Sequence, residues 1–295
     1  MPQLIHVVEA LDFVERHLKE EIGVADMADA AGYSVYHFCR VFNSFVHHTP
    51  YDYLMRRRLS ESARSLLETD WNIVDVAFEY RFNSHETYSR AFKRMFGVPP
   101  SRYRALDGKG TTTIDRRIWM PPLTIDYLQY INQGGRLKPD LVRKGALRLT
   151  GLMSIVVDTE GINHLWETLT QALAQIRDDE GRYDCYGLSW RPAEGRLNTR
   201  FYLAAVEAGS GPVSGEREGL HPAFVMKKLP PLAYARFVHR GSRADLDLTR
   251  SYIYHTWLPQ SAVRVAYPME VEHLGLQGPG PEHQKGRWDL LVPIE

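Results

Sequence analysis

Arg40 and Arg90 are the residues whose type and spacing are best suited to chemistry, because they hold equivalent positions in a segment that occurs twice, fifty positions apart. The matched residues are Ser34, Phe38, Arg40, Phe42, Pro50 and Tyr53 in the first copy and Ser84, Tyr88, Arg90, Phe92, Pro100 and Tyr103 in the second. In each copy two aromatic residues four positions apart share a helix face, so the Arg between them points elsewhere. A guanidinium can donate two hydrogen bonds to O6 and N7 of guanine. The repeat therefore predicts two amphipathic helices, each with a basic outer side.

A shorter helix and a tight turn are predicted before each copy, and Ser34 and Ser84 are placed to cap the helices that follow. Apolar periodicity predicts helices over residues 4–19, 26–31, 35–46, 50–68, 73–80 and 85–96, with a closing turn that contains Pro99, Pro100, Tyr103 and Arg104. A short helix, a turn and a second helix form a helix-turn-helix, whose second helix lies in the major groove of DNA. Two such units are predicted.

The outer faces of the two second helices supply the candidate DNA-binding residues. These are Val35, Tyr36, Cys39 and Arg40 in the first unit and His85, Glu86, Thr87, Ser89, Arg90, Lys93 and Arg94 in the second. Arg40 and Arg90 are the strongest candidates, and Glu86 can accept a hydrogen bond from cytosine. Contacts that position the DNA backbone are predicted for Arg56, Arg57, Arg58, Lys93, Arg94, Arg102 and Arg104. The alternative for this last set is a basic turn exposed to solvent.

The charge pattern supports this interpretation better than the net charge does. Residues 1–106 carry a net charge of −1, which excludes a nonspecific binder of polyanions. Residues 31–60 carry +3 and residues 81–104 carry +5, whereas 1–30 carry −5 and 61–80 carry −4. Both positive blocks coincide with the repeated segments.

Length and composition set the class of protein. A chain of 295 residues with 44% hydrophobic and 24% charged residues is a globular protein of two domains, since a domain holds roughly 100 to 200 residues. No apolar run approaches the roughly 18 residues of a membrane helix, so we expect a cytoplasmic protein without membrane contact. The two cysteines, Cys39 and Cys185, and the His47-His48 pair have no partners at metal-binding spacing. No metal, cofactor or disulfide is predicted.

The N-terminal motifs resemble a known family. The run from Ala31 to Phe42, with Pro50 to Leu54 behind it, closely resembles the DNA-binding domain of AraC/XylS-type transcriptional regulators, and so does Val76 to Arg104. The resemblance covers residues 4–106 and implies that the helix from Pro50 holds the two units against successive major-groove segments. Arg81 departs from the Gly usual in the family before the Phe, so we expect the turn there to differ in detail, although Arg tolerates many type I geometries. Cys39 replaces a polar residue, which weakens its case as a base contact.

After Gly108 the sequence changes to short alternating or β-branched runs, after a small, polar stretch typical of a linker. Strands are predicted over residues 112–119, 147–157, 200–206, 223–229 and 233–238, and helices only over 163–176 and 245–258. The predicted fold is therefore an all-α double helix-turn-helix domain over residues 1–107, a linker over 108–113, and an α+β domain over 114–295 that duplicates a β-α-β-β unit.

The C-terminal part resembles GyrI-like effector-binding domains at Tyr186 to Trp190, Leu232 to Gly241, Trp257 to Ser261, Tyr267 to Glu272 and Trp288 to Ile294. This resemblance implies two pseudo-symmetric halves around a pocket for small, hydrophobic or cationic molecules. It also implies that Glu270 is the ligand carboxylate, and Glu272, two positions on and on the same face, is the second choice. Tyr186, Trp190, Tyr202 and Trp257 are candidate walls. The alternatives are ordinary core aromatics and a Glu270 that faces solvent on an edge strand.

The sequence predicts a transcription regulator that binds promoter DNA and a small effector and contacts RNA polymerase. It is not predicted to be an enzyme, because no nucleophile, base and orienting group are recognisable together. The alternative is a GyrI-like small-molecule hydrolase or a ligand-sequestering protein that carries a DNA-binding domain, with Glu270 activating a water molecule.

Overall fold

The computed structural model describes residues 2–106, 118–133, 137–176, 183–190, 200–207, 223–275 and 286–295. The chain forms two compact units, one of residues 1–136 and 250–261 and one of residues 137–249 and 262–295. We call them the helical unit and the sheet unit. The predicted linker at 108–113 and most of the predicted strand at 112–119 lie outside the described residues. The domain boundaries at 107 and 114 stay a prediction.

The helical unit contains both predicted helix pairs. Its helices are α1 (Pro2–Arg16), α2 (Val24–Ala30), α3 (Val35–Val46), α4 (Pro50–Glu68), α5 (Ile73–Glu79), α6 (His85–Phe96), α7 (Pro100–Leu106) and α8 (Ile125–Gln133). The bounds predicted for α3, α4 and α6 are confirmed. Their caps are those expected, because Ser34, Thr49 and Ser84 each accept a hydrogen bond from the amide three residues on. The predicted closing turn is wrong, since Pro100 begins a helix.

The repeated aromatic residues form two equivalent buried clusters. In the first helix-turn-helix, the ring centroids of Phe38 and Phe42 are 5.3 Å apart and those of Phe42 and Tyr53 are 5.9 Å apart. Their counterparts Tyr88, Phe92 and Tyr103 have centroids 5.4 and 5.1 Å apart. All six are nearly inaccessible to solvent. The i, i+4 pair fixes the inner face of each repeat helix, so the outer face is determined as well.

The turns before α3 and α6 share one backbone conformation. Gly32 has φ of +67° and Arg81 has φ of +63°, both in the left-handed region. The amides of Tyr33 and Phe82 each donate to the carbonyl five residues back, on Ala28 and Ala77, which is the pattern of a helix ended by a left-handed residue. The turn at Arg81 therefore has the left-handed conformation of the turn at Gly32, so the expected difference in detail is not found. Arg81 Nε donates to the carbonyl oxygen of Lys19 over 2.6 Å, and this bond helps to offset the strain.

The sheet unit is built on one antiparallel sheet. Its strands are β1 (Asp140–Lys144), β2 (Leu147–Val156), β3 (Cys185–Trp190), β4 (Arg200–Glu207), β5 (Val225–Leu229), β6 (Leu232–Gly241), β7 (Met269–Gly275) and β8 (Gly286–Ile294). Its helices are α9 (Thr159–Ile176) and the start of α10 (Leu246–Ser251). The predicted α+β class is confirmed, and the strands predicted in the described part of this unit are all present.

The order of the strands shows the duplication. Across the sheet it is β1, β6, β8, β7, β3, β4, β2, β5. If each strand of the first half is exchanged with its counterpart in the second half (β1 with β5, β2 with β6, β3 with β7 and β4 with β8), the result is the same strand order read from the opposite edge of the sheet. The two halves therefore meet where β3 pairs with β7, with Gly187 opposite Glu272 and Ser189 opposite Glu270.

Two helical features differ from the sequence prediction. The helix α8 was not predicted, although Tyr127, Leu128 and Ile131 are buried on one side of it. The predicted helix at 245–258 is α10 followed by a π-helix, Tyr252–Trp257, and a short α11, Leu258–Gln260. Periodicity at 3.6 residues cannot foresee a change to the wider π spacing.

Among the described helices, none combines the length and the apolar character needed to cross a bilayer.

Candidate nucleic-acid interface and ligand site

The outer faces of α3 and α6 are open to solvent. Val35, Tyr36 and Arg40 are exposed on α3, with Tyr36 at 75% exposure, and Cys39 is half-buried. On α6 the exposed residues are His85, Glu86, Thr87, Arg90, Lys93 and Arg94, and Ser89 is half-buried. The structure thus brings each predicted set to one face, opposite the buried aromatic cluster of its unit. Their assignment to DNA contacts remains a prediction.

The first turn of α6 is held by its own side chains. Ser84 Oγ accepts from the Thr87 amide over 3.2 Å. The Glu86 amide and the Ser84 hydroxyl lower the pKa of the Glu86 carboxyl, which is fully exposed. A carboxylate at this place can accept from cytosine N4, as predicted, and it suits the positive end of the helix dipole.

Arg57 and Arg58 lie inside the helical unit, so the prediction that they position the DNA backbone is wrong. Arg57 Nη2 lies 2.7 Å from Glu15 Oε2 and 3.0 Å from Glu61 Oε1, and its Nη1 donates to the carbonyl oxygen of Met120. Burial opposes the charge of Arg57, but the hydrogen bond and charge of Glu15 outweigh it and raise the pKa of Arg57.

Arg58 donates to the carbonyl oxygens of Leu18 and Glu20 over 2.9 and 2.7 Å. Arg104 likewise donates to the carbonyl oxygens of Leu66 and Trp71. Arg57 and Arg58 are buried by these contacts, whereas Arg104 is half-buried. The sequence could not reveal this, because an Arg at a helical position is usually exposed.

The sheet unit divides the predicted ligand residues between its two faces. Side chains directly opposite each other on neighbouring strands lie on the same face, and alternate residues of one strand lie on opposite faces. Ser189 pairs with Glu270 on one side and with Tyr202 on the other, so these three share a face. Glu272, two residues from Glu270, lies on it too. We call it the carboxylate face.

Tyr186 and Trp190 lie on the opposite face. They pack in an apolar cluster with residues that include Leu188, Leu203 and Leu291. Trp257 belongs to the π-helix of the helical unit. The five predicted ligand residues therefore do not form one cluster. Tyr186 and Trp190 point away from Glu270 because side chains alternate between the two faces along β3. Tyr202 and Glu270 remain together.

Both glutamates are buried on an interior strand. Glu270 is 3% exposed and Glu272 is 1% exposed, and β7 lies between β8 and β3. The alternative of a Glu270 on a solvent-facing edge strand is therefore wrong. A carboxylate in such a place needs compensating partners.

Glu272 has partners of the kind that a buried carboxylate needs. The hydroxyl of Tyr202 donates to Glu272 Oε2 over 2.8 Å, and Arg243 Nη1 lies 2.8 Å from the same oxygen. Trp166 of α9 donates from Nε1 to the Tyr202 hydroxyl over 3.1 Å. Burial and the charge of Glu272 raise the pKa of Tyr202, which keeps it a hydrogen-bond donor at neutral pH. Arg243 and Trp166 were not in the predicted set.

Gly187 makes room for this network. A Cβ added there would lie 2.1 Å from the Tyr202 hydroxyl oxygen and 3.2 Å from Glu272 Oε2. Only a residue without a side chain lets the phenol cross β3 and reach β7 at this register. The glycine is a signal that the sequence offered, but its meaning depended on the strand pairing.

Comparison with known proteins identifies both units. Residues 137–295 match the GyrI-like small molecule binding domain, and residues 27–106 match a helix-turn-helix domain. The chain belongs to the family of proteins with a GyrI-like small molecule binding domain, and its helix-turn-helix domain is of the AraC type. Both resemblances drawn from the sequence are thereby confirmed.

Relatives match the chain over its helix-turn-helix part. The right origin-binding protein of Escherichia coli strain K12 is 38% identical over 104 residues, which are 35% of this chain and 36% of that protein. The uncharacterized HTH-type transcriptional regulator YbfP of Bacillus subtilis is 38% identical over 98 residues, 33% of each chain. The similarity thus spans about a third of the length of these two relatives. A solved structure of the DNA-binding domain of AdpA in complex with a target DNA is 29% identical, covering 34% of this chain and 89% of that chain with a TM-score of 0.33.

Proposed function

We propose that this protein is a sequence-specific DNA-binding transcription regulator whose sheet unit binds a small effector. The observation that carries the proposal is the pair of equivalent helices α3 and α6, each with its aromatic side buried and a polar, Arg-containing side exposed. A recognition helix in the major groove needs such a face. The helix-turn-helix match over residues 27–106 supports the same conclusion.

The linking helix suits recognition of two groove segments. With 19 residues α4 is about 28 Å long, which is close to the ~34 Å that separates successive major grooves on one side of a duplex. Its side chains pack against both helix pairs, for example through Phe42–Tyr53 in the first and Tyr88–Ser62 in the second. A rigid connection of this length keeps both recognition helices on one side of the DNA.

The assignment of contacts follows from exposure. Arg40 and Arg90 are the proposed base-contacting residues. Lys93 and Arg94 are proposed to contact phosphates. Further contacts with the DNA are proposed for the neighbouring residues Val35, Tyr36, Cys39, His85, Glu86, Thr87 and Ser89. Exposed Tyr36 can contact a thymine methyl through its ring. Contact with RNA polymerase at the promoter and a place in the cytoplasm belong to the proposal as well.

For the effector we propose the carboxylate face as the binding site, with Glu272 and Glu270 as its charged groups and Tyr202 as a wall. A desolvated carboxylate beside aromatic rings attracts an organic cation, which also gains contacts with those rings. The GyrI-like match supports a small-molecule role for this unit. The effector acts by binding one state of the regulator better than another.

The proposal is tested by selecting bound sequences from a random pool of duplex DNA with the full chain, followed by footprinting on a selected site. We expect one asymmetric site with protection over two adjacent major-groove segments. Recovery of unenriched DNA would overturn the regulator proposal. Hydrolysis of a strained small molecule by the same chain, lost in Glu270→Gln, would favour the enzymatic alternative, which we place second because the relatives are regulators.

A further inference from the structure

Arg243 brings a positive charge into the carboxylate face. Its side chain is 12% exposed, and its Nη1 lies 2.8 Å from Glu272 Oε2 and 3.4 Å from the Tyr202 hydroxyl oxygen. Its Cζ lies 5.4 Å from the centroid of the Trp288 ring. The guanidinium is therefore surrounded by a buried carboxylate, a phenol and an indole.

These three groups are those that recognise a flat organic cation. A guanidinium is planar, carries a delocalised charge and is weakly hydrated, so it stacks on aromatic rings and enters partly dry sites more readily than an ammonium does. Burial opposes the charge of Arg243, but Tyr202 and Glu272 outweigh it and raise the pKa of Arg243, so that it stays charged. The chain itself thus supplies a cation of the class that the carboxylate attracts.

The loop that carries Arg243 is built to hold it in this place. Ser242 Oγ and its amide both donate to Asp245 Oδ2, over 2.7 and 2.9 Å, and the Asp245 amide donates back to Ser242 Oγ. His239 contacts the Ser242 carbonyl oxygen at 2.9 Å through Nε2 and the Thr249 hydroxyl at 2.8 Å through Nδ1. This reciprocal cap at the start of α10 fixes the direction in which Arg243 leaves the backbone.

Gly241 completes the loop. Its φ is +144°, a conformation that side chains rarely adopt, and an added Cβ would lie 2.9 Å from Asp245 Oδ2. Four residues around Arg243 therefore constrain one backbone path, which would be unnecessary for an arginine that merely extends into solvent.

From this arrangement we infer that Arg243 is a built-in occupant of the effector site, and that an external effector must be an aromatic or lipophilic cation that displaces the Arg243 guanidinium from Glu272. The inference rests on the proposed effector role of the carboxylate face. A neutral ligand offers Glu272 no replacement charge, so it would leave a buried carboxylate unpaired. Displacement of the Arg243 guanidinium releases the loop before α10 from Glu272. Ligand binding would therefore change the position of this loop within the sheet unit.

The inference is tested with two cations as probes, tetraphenylphosphonium and benzamidinium, on the full chain. We expect Arg243→Ala to bind tetraphenylphosphonium at least tenfold more tightly than the wild type in calorimetry, because the competitor has been removed. In the double variant Arg243→Ala/Glu272→Gln this gain should disappear. Benzamidinium at millimolar concentration should raise the melting temperature of Arg243→Ala more than that of the wild type, with which Arg243 competes, and should leave that of the double variant unchanged. Arg240→Ala, an exposed arginine on β6, is the matched control and should bind both probes like the wild type.

Equal or weaker binding of tetraphenylphosphonium by Arg243→Ala would overturn the inference, as would a gain that persists in the double variant. If Arg243→Ala does not fold by itself, benzamidinium should restore its folding. Arg243→Met, which keeps the bulk of the side chain without its charge, should then show the tighter binding of tetraphenylphosphonium. Failure of both results would overturn the inference. DNA selection with the wild type, without either probe, reports on the regulator proposal separately. A chain that selects no DNA sequence but shows the Arg243 effect would refute the regulator role alone.

Discussion

The Tyr202 hydroxyl and Glu272 Oε2 lie 2.8 Å apart although their strands, β4 and β7, are separated by β3. The phenol crosses the intervening strand at Gly187, which faces both groups. This buried side-chain hydrogen bond adds to the pairing of β3 with β7 that joins the two halves of the duplicated fold. The same carboxylate also binds Arg243, so the network couples three strands and a loop.

Gly187→Ala should disrupt this network. An added Cβ 2.1 Å from the Tyr202 hydroxyl forces the ring or the strand to move, and overpacking of a buried site costs about 1–3 kcal/mol. Urea unfolding followed by tryptophan fluorescence measures the change in the free energy of unfolding. Gly145→Ala is the control, because a Cβ there meets no atom within 4 Å and should change stability by less than about 0.5 kcal/mol. Equal effects of the two variants would contradict the packing described for Gly187.

Arg40→Ala and Arg90→Ala should each weaken binding to the selected DNA site. Loss of a two-pronged contact to guanine costs about 1–3 kcal/mol of binding free energy and relaxes specificity at the base pair concerned. Anisotropy titrations with site variants measure both quantities. Arg16→Ala, an exposed arginine on α1, should bind like the wild type. Full affinity and specificity in both test variants would show that α3 and α6 are not the recognition helices.

Arg57→Ala should destabilise the helical unit strongly. Removing this buried guanidinium takes from the half-buried Glu15 and Glu61 their common partner and from the Met120 carbonyl its donor, which costs about 1.5–3 kcal/mol. Arg56→Ala, one residue before it, removes a partly exposed pair with Asp52 and should cost less than about 1 kcal/mol. Thermal unfolding followed by circular dichroism separates them. A DNA-binding defect without loss of stability in Arg57→Ala would restore the role that sequence analysis gave to this residue.

Stability should fall in acid partly through Asp52. Burial opposes ionisation of Asp52, but the hydrogen bond from His48 and the charge of Arg56 outweigh it and lower its pKa from 3.8 to about 2. Because the folded-state pKa is the lower one, the stabilisation is present above about pH 4 and is lost as the pH falls through about 2. Discounted for solvent screening, it amounts to about 1 kcal/mol. Urea unfolding between pH 5 and pH 2 should show a shallower decline for Asp52→Asn, and identical declines would refute the assignment.

Local signals in the sequence were enough for the two repeated helices of the helical unit. The i, i+4 aromatic pairs and the caps at Ser34 and Ser84 act within one turn, so they predicted α3 and α6 to the residue. Arg81 shows the limit of such signals, because its left-handed conformation is stabilised partly by a bond to Lys19, sixty-two residues away. Arg57 is similar, since only the folded unit brings Glu15 and Met120 to it.

The sequence by itself determined that this protein has a duplicated helix-turn-helix in which two helices each expose an Arg-containing side, followed by an α+β unit, because hydrophobic period and capping are local properties. Only the tertiary structure decided which residues share a site in the sheet unit. Strand register placed Tyr202 with Glu270 and Glu272 and sent Tyr186 and Trp190 to the other face, and a shift of one residue would have reversed the result. The pairing of Arg243 with Glu272 depends on contacts that no local pattern encodes.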